Sequence, residues 1–286
     1  MPSTTPGRPL AIAATLLDQG LRRRLAGALR RAPARGELTL HYQPRLHPRD
    51  GRRMGVEALL RWHHAPYGQV PPDAFIPIAE GSDLILALGT WVLRQATADA
   101  ARHPELGRVA VNVSARQVAS GALPTQVAAA LAESGLPPER LELELTETLP
   151  LEDRPEAAAM LGRLRDSGIG LALDDFGAGH ASFARLRALP FTTLKLDRSL
   201  IARLPEAPTD LAILRSIRDV ARALGLRLVA EGVERPAQLA AIEALGFDEV
   251  QGFLLGRPVP LGSLAPAPAP PPEAMRHPAE AMDLAG

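Results

Sequence analysis

The sequence predicts an α/β fold, a TIM-like (β/α)8 barrel. Short apolar segments with β propensity alternate with segments of helical length along most of the chain. This alternation is typical of βαβ units, in which helices cover a parallel sheet. About eight strands occur in one run, and 286 residues is a usual size for a closed barrel. An open doubly wound sheet is the alternative, but no Gly-x-Gly-x-x-Gly motif follows the first strand.

Each predicted strand is a short apolar run that ends at a turn signal. The first two, 38–42 and 54–60, flank a turn that passes through Gly51. The later ones cover 109–113, 141–145, 171–174, 193–196 and 227–230, and the last begins at Val250.

The predicted helices show apolar periodicity, a start signal or a stop signal. An Arg-rich amphipathic helix is expected at 21–31 and a longer one at 84–101. Ser114 and Gln117 form a capping box that begins a further helical turn. Glycine or proline stops the helices predicted at 126–133, 155–165, 209–224 and 236–245, and a helical segment that ends at Pro190.

These elements divide the chain into three parts. Residues 1–20 are expected to be a flexible segment, and 21–263 form the folded domain. Residues 264–286 contain an Ala-Pro tract that cannot build a core, so they are expected to be a disordered tail.

Composition excludes several functional classes. The 32 basic and 32 acidic residues give a net charge of zero, so no overall basic field exists to hold a nucleic-acid polymer. The absence of cysteine excludes disulfides, thiolate chemistry and Cys-ligated zinc. The apolar runs are too short to span a bilayer, and we expect a soluble, cytoplasmic protein.

Two adjacent carboxylates, Asp174 and Asp175, follow a predicted buried strand and precede a turn with Gly177 and Gly179. Successive strand residues point to opposite faces, so the glycine-rich turn must bring the two carboxylates together. Unneutralised, such a pair repels, and one member tends to protonate. A bound divalent cation would remove the repulsion, so the pair is a candidate metal ligand. From this stretch alone, an Asp-Asp turn exposed to solvent is the alternative interpretation.

Polar side chains lie within or at the ends of most predicted strands. In a parallel barrel the carboxyl ends of the strands converge on one face, where active sites form. Oxygen ligands without Cys or strand-end His suit Mg²⁺ or Mn²⁺, and a carboxylate such as Asp174 can bridge two ions. A simple solvated role stays open for either Glu142 or Glu144, which share a strand face. The converging residues are Glu57, Asn112, Glu144, Asp174, Asp175, Lys195, Glu231 and Gln251.

Two members of this set are unique in the sequence. Lys195 is the only lysine and Asn112 the only asparagine of the chain. Elsewhere the chain uses arginine for positive charge, so Lys195 indicates a site that needs a compact ammonium.

The ordered motifs resemble the EAL-domain family of cyclic di-GMP phosphodiesterases over about 21–260. The tripeptide Glu57-Ala58-Leu59 alone is a weak signal, but further motifs accompany it at domain-wide spacing. They are Tyr42-Gln43-Pro44, Asn112-Val113-Ser114, Glu144-Leu145-Thr146-Glu147, Asp174-Asp175-Phe176-Gly177, Leu194-Lys195-Leu196-Asp197, Glu231-Gly232-Val233-Glu234 and Gln251-Gly252-Phe253.

The resemblance implies a barrel whose first strand is antiparallel to the rest, and hydrolysis of cyclic di-GMP to linear pGpG with Mg²⁺ or Mn²⁺, with two ions expected. It implies that Glu57, Asn112, Glu144 and Asp174 hold one metal ion, and that Asp174, Asp175 and Glu231 hold or flank the second. It further implies that Lys195 and Gln251 position the water, and that Glu231 is the base for that water when a single ion is bound. Gln43, Arg61 and Asp197 would contact the nucleotide, and Glu147 would brace the loop after Asp175.

The loop after Asp175 departs from the family pattern. Ala178 stands where Thr is usual, His180 where Tyr is usual and Ala181 where Ser is usual. In the family this loop couples metal binding to dimerisation, so a homodimer through the loop and the following helix is expected. Two alternatives to an active enzyme are a cyclic di-GMP receptor that does not cut its ligand and a protein-interaction module. We also expect Ca²⁺ to inhibit, because it takes more ligands at longer distances.

Overall fold

The computed structural model describes residues 19–146, 155–179 and 183–265. Glu147, His180 and Ala181 lie outside the described residues, as does almost all of the predicted flexible segment and tail. The expectations for those positions therefore stay predictions.

Among the described residues the first three strands follow one another, and from there to the ninth strand one or two α-helices separate successive strands. The helices are α1 (Gln19–Leu29), α2 (Pro72–Glu80), α3 (Leu84–Arg102), α4 (Ala115–Ala119), α5 (Leu123–Ser134), α6 (Pro155–Asp166), α7 (Phe183–Ala188), α8 (Arg198–Ile201), α9 (Pro208–Ala223) and α10 (Pro236–Leu245). The strands are β1 (Leu38–Leu46), β2 (Arg53–His64), β3 (Gly68–Val70), β4 (Arg108–Val113), β5 (Leu141–Thr146), β6 (Gly170–Phe176), β7 (Thr193–Leu196), β8 (Arg227–Ala230), β9 (Glu249–Val250) and β10 (Val259–Pro260).

Eight strands of the described chain close into a barrel in the order β1, β2, β4, β5, β6, β7, β8 and β9, with β9 pairing back onto β1. The pairs from β2 round to β9 are parallel, whereas β1 is antiparallel to both of its neighbours. The predicted (β/α)8 barrel with an antiparallel first strand is confirmed. Its carboxyl-terminal face is therefore common to β2 and β4 through β9.

Alternation along the strands separates the two sides of the barrel wall. Leu143 and Leu145 of β5 belong to the large apolar core that the outer helices cover. Glu142 and Glu144, on the other face of β5, form ion pairs with residues of other strands inside the barrel. A smaller core lies among α1, α2 and α3.

Two local features extend or refine the predicted elements. β2 continues to His64 instead of ending at Leu60, and its last residues pair with β3. Burial explains the extension, because Trp62 is fully enclosed in the smaller core. At α4, the Ser114 side chain accepts a hydrogen bond from the backbone N–H of Gln117, which confirms the predicted capping box.

Within the described part of the chain, no helix on its own is long and apolar enough to cross a membrane. Taken together, α2 and α3 are long and apolar enough for such a span, but the two helices are bent by 119° relative to each other.

Candidate active site

An irregularity in β6 places Asp174 and Asp175 at the mouth of the barrel. The pairing register between β6 and β7 shifts between Leu173 and Phe176. Asp175 has a φ of 57°, in the left-handed region, and its backbone N–H donates to Asp174 Oδ1 at 3.0 Å. One carboxylate oxygen from each of Asp174, Asp175 and Glu231 consequently lies within 4.8 Å of the other two.

The sequence assigned this change of direction to Gly177 and Gly179. Gly177 does have a positive φ of 100°, but Gly179 does not adopt that conformation. Asp175 itself takes the left-handed backbone, which aspartate tolerates better than most residues.

The ammonium of Lys195 lies at the centre of the site, with its side chain 1% exposed. Among the described residues, four carboxylates surround it. The distances from Lys195 Nζ are 2.7 Å to Glu231 Oε1, 2.9 Å to Glu144 Oε2, 3.0 Å to Asp174 Oδ1 and 3.9 Å to Glu57 Oε2. One ammonium does not balance four ionised carboxylates, so without a further cation some of them would hold protons.

A chain of amide groups fixes Glu57. Asn112 Nδ2 donates to Glu57 Oε1 at 2.8 Å, and Gln251 Nε2 donates to Glu57 Oε2 at 2.6 Å. Gln251 Nε2 is also 3.0 Å from Gln43 Oε1, and Gln43 Nε2 donates to the carbonyl of Gly256 at 3.0 Å. Because the amide nitrogen of Asn112 is used on Glu57, its Oδ1 is the atom left to ligate a cation.

Crowding shifts the acidity of these carboxyl groups. Burial raises the pKa of Glu231 to about 8, with the charges of Asp174 and Glu57 adding to the effect and Lys195 opposing it. Burial likewise holds the pKa of Glu144 well above its usual range, against the attraction of Lys195. At Glu57, Lys195 and the amide hydrogen bonds outweigh burial, so its pKa is lowered. The groups with raised pKa values hold protons that a metal ion would displace.

An open cleft of about 440 Å³ adjoins the acidic cluster. Arg61, Asn112 and Asp175 line it, together with Ile76 and other residues of α2 and α3. Partial burial and the charge of Asp174 raise the pKa of Asp175.

Asp197 lies just beyond β7 on the same face. It caps α8 by accepting a hydrogen bond from the backbone N–H of Ser199 at 2.9 Å. Its charge contributes to the raised pKa of Asp175. The structure thus places Arg61 and Asp197 beside the carboxylates, whereas Glu147 lies outside the described residues.

Sequence reasoning missed a layer of charged residues beneath the site. Arg45, Glu142 and Glu249 are at most 1% exposed, so Glu142 is not the solvated residue that the sequence left open. The alternation Leu-Glu-Leu-Glu-Leu in β5 was the available signal, because it puts Glu142 on the same inward face as Glu144.

The donors that the structure gathers fit a hard divalent cation. They are carboxylate oxygens and one amide oxygen, the ligand type that Mg²⁺ and Mn²⁺ prefer. The close group formed by Asp174, Asp175 and Glu231 lies beside the carboxylates of Glu57 and Glu144 that approach Lys195.

Fold and site together define a class: a (β/α)8-barrel protein with a cluster of carboxylates, able to hold a metal ion, at the carboxyl ends of its strands. The chain belongs to the EAL domain family, whose model matches residues 26–258. The resemblance inferred from the sequence motifs is confirmed.

Relatives with assigned activities cover most of this chain. MucR of Pseudomonas aeruginosa, a bifunctional diguanylate cyclase/cyclic di-GMP phosphodiesterase, is 41% identical over 240 residues, which are 82% of this chain and 35% of MucR. The cyclic di-GMP phosphodiesterase NbdA of the same organism is 43% identical over 241 residues, 82% of this chain and 31% of NbdA. The chain thus spans about a third of the length of these curated relatives.

A solved structure shares the fold closely. The phosphodiesterase PaMucR in complex with c-di-GMP matches with a TM-score of 0.79 and 40% identity. The match covers 85% of this chain and 100% of that chain.

Proposed function

We propose that the protein hydrolyses cyclic di-GMP to linear pGpG with Mg²⁺ or Mn²⁺. The observation that carries the proposal is the gathering of Glu57, Glu144, Asp174 and Glu231 around Lys195 at the mouth of an EAL barrel. Degenerate members of such a family lose metal ligands or the lysine, whereas each of these positions is filled here.

The ligands fall into two sets that share Asp174. Glu57, Asn112, Glu144 and Asp174 would hold one ion, and Asp174, Asp175 and Glu231 the other. The short distances among the carboxylates of the second set support this division. A bound ion of this kind lowers the pKa of water and neutralises charge on a phosphate.

Formation of pGpG joins a water oxygen to phosphorus and breaks the bond from phosphorus to O3′, which leaves with a proton. Glu231 would accept the proton of the water, because a bound metal ion would displace the proton that the raised pKa otherwise keeps on its carboxyl group. Lys195, 2.7 Å from Glu231, would hold positive charge beside the reacting phosphate. Gln251, anchored on Glu57 at 2.6 Å, would orient the water.

The nucleotide would lie over the mouth of the barrel and extend into the adjoining cleft. Arg61 lines that cleft, and its guanidinium suits a phosphate or a guanine edge. Gln43 and Asp197 would contact the nucleotide beside the carboxylates. The bracing role of Glu147 and the cytoplasmic location stay predictions from the sequence.

The homodimer is also part of the proposal. An apolar groove of about 410 Å³ lies between the end of β6 and the helices α7, α8 and α9. Phe176, Phe183, Leu200 and Ile213 are among the residues that line it. Phe183 and Ile213 are exposed large apolar side chains. A second copy of the chain that covers this groove would remove them from water.

Product analysis tests the enzyme against the receptor alternative. Purified protein is incubated with cyclic di-GMP and Mn²⁺, and a parallel sample contains EDTA. The proposal predicts pGpG only with Mn²⁺. Tight binding of intact cyclic di-GMP with no product under either condition would favour the receptor instead.

A further inference from the structure

Beneath the proposed metal site lies an ion-pair layer, here called the floor. It consists of the buried residues Arg45, Glu142 and Glu249, together with Arg108 and Arg227, whose side chains are 14% and 37% exposed. TIM-type barrels are usually packed with branched apolar side chains at this level. Here Arg45 is 1% exposed, and Glu142 and Glu249 are fully buried. Burying this many charges is costly, which raises the question of what the floor does for the site above it.

Arg45 connects the floor to the site. Its guanidinium contacts Glu142 Oε1 at 2.5 Å and Glu249 Oε2 at 2.7 Å. Arg45 Nη1, the atom that contacts Glu142, also lies 3.3 Å from Glu144 Oε1. The other oxygen of that carboxylate, Glu144 Oε2, lies 2.9 Å from Lys195 Nζ. One oxygen of Glu144 therefore contacts the Arg45 guanidinium in the floor, and the other contacts the Lys195 ammonium in the site.

The remaining floor residues fix Arg45 in this position. Arg108 Nη2 contacts Glu249 Oε1 at 2.6 Å, and Arg227 Nη2 contacts Glu142 Oε2 at 2.7 Å. Thr193 Oγ1 donates to the same Glu142 oxygen at 2.8 Å. Each floor carboxylate thus presents one oxygen to Arg45 and the other to a second arginine.

The backbone makes room for this packing. A Cβ at Gly170 would lie 3.2 Å from the Glu142 side chain, and one at Gly55 would lie 2.7 Å from the carbonyl oxygen of Arg108. Gly170 thus leaves room for the Glu142 side chain, and Gly55 lets β2 lie close to the backbone of β4.

The floor also acts on Glu144 electrostatically, because the charge of Arg45 favours the ionised form of that carboxyl group. Arg45, Arg108 and Arg227 carry one positive charge more than Glu142 and Glu249 carry negative. Glu144 is the carboxylate that Arg45 reaches on the side of the site. Orientation and charge therefore act on the same residue.

We propose that Arg45 is a positioning residue that orients the Glu144 carboxylate for the metal ion. The inference rests on the proposed function, in which Glu144 is a metal ligand. Arg45 itself contacts neither substrate nor metal in this account.

Two substitutions that both keep the positive charge test the proposal. Arg45→Lys removes the planar guanidinium that contacts Glu144 and the floor carboxylates at the same time. Arg108→Lys is the matched control, since Arg108 is also part of the floor but ends on Glu249 and Glu142. The affinity for Mn²⁺ alone is measured by calorimetry, beside melting temperature, kcat and KM.

Arg45→Lys is expected to weaken Mn²⁺ binding about tenfold, the lower end for groups that orient metal ligands. Its kcat should fall while KM for cyclic di-GMP stays within about twofold. Arg108→Lys should change Mn²⁺ affinity less than about twofold, even if it lowers the melting temperature as much as Arg45→Lys does. Equal Mn²⁺ affinities for the two folded variants would overturn the inference.

A compensated variant covers the case in which Arg45→Lys does not fold. Arg45→Met with Glu249→Gln removes one charge of each sign, so the floor keeps its balance but loses the contact to Glu144. Weakened Mn²⁺ binding supports positioning, and wild-type affinity overturns it. Wild-type protein that binds Mn²⁺ but gives no pGpG contradicts the proposed function alone, and one that binds no Mn²⁺ overturns both proposals.

Discussion

Lys195 supplies the ammonium at the centre of the site. Its ammonium approaches Glu231, Glu144 and Asp174 within 3.0 Å, so little space separates it from the carboxylates. Arginine keeps the charge, but its planar guanidinium is wider and would displace a carboxylate or the water.

We predict that Lys195→Arg lowers the single-turnover rate with Mg²⁺ by about 100-fold, because misplacement by about 1 Å has that effect. The dissociation constant for cyclic di-GMP, measured with Ca²⁺, should change only a few-fold. An unchanged rate would show that Lys195 has no catalytic role. A collapse of binding together with the rate would assign it to substrate docking.

The raised pKa values of Glu231 and Glu144 predict how the stability of the metal-free protein depends on pH. A carboxyl group whose folded-state pKa exceeds its unfolded value binds more protons when folded, so stability falls as pH rises between the two values. For Glu231 this range extends from about 4.5 to about 8. Lys195, whose pKa is raised above its ordinary value, stays charged throughout the range.

We predict that in EDTA the melting temperature decreases from pH 5 to pH 8, and that Glu231→Gln reduces the decrease. Added Mn²⁺ should raise the melting temperature more at pH 8 than at pH 5, because fewer protons compete for the ligands. A melting temperature in EDTA that rises with pH would contradict the assigned shifts.

The ligand set also predicts the response to Ca²⁺. The oxygen donors accept Ca²⁺, but its larger size and longer bonds loosen the geometry around the attacking water. We predict that Ca²⁺ alone supports no measurable hydrolysis and that it inhibits when added with Mg²⁺. Rates with Ca²⁺ equal to those with Mg²⁺ would contradict the proposed geometry.

At the scale of elements, strand alternation explains why the site residues were predictable. Asn112, Glu144 and Lys195 each interrupt an apolar strand near its carboxyl end, and the barrel brings such positions together. The turn was only partly predicted, because Gly177 adopts a positive φ as expected but Asp175 takes the left-handed backbone in place of Gly179. A glycine in a sequence indicates where a left-handed backbone is permitted. An aspartate that adopts this conformation does so under tertiary constraint, which the sequence does not show.

The segment after β6 carries the dimer prediction. We predict that Phe183→Asp shifts the protein toward the monomer in sedimentation velocity, because it places a charge in the groove that a second copy would cover. Phe253→Asp is the matched control, since Phe253 is 49% exposed, against 43% for Phe183, and does not line that groove. Equal effects of the two substitutions, or a monomeric wild type, would contradict the dimer.

For the whole molecule, the regular alternation of strands and helices was sufficient to predict the barrel. The floor was not predictable in the same way. Arg45, Glu142 and Glu249 come from β1, β5 and β9, and their pairing depends on how far each strand is displaced along the barrel. A single sequence shows each charge on its strand but not the level at which strands on opposite sides meet.

Turnover of Glu57→Ala tests most directly whether the acidic cluster at the barrel mouth is the catalytic metal site. Glu57 lies at the mouth, held by Asn112 and Gln251, and is not part of the apolar core. The account predicts a folded protein, by melting temperature, whose kcat with Mn²⁺ falls by more than about 100-fold, since even indirect partners of metal ligands have effects of 10- to 100-fold. A folded Glu57→Ala protein that forms pGpG at the wild-type rate would contradict the account.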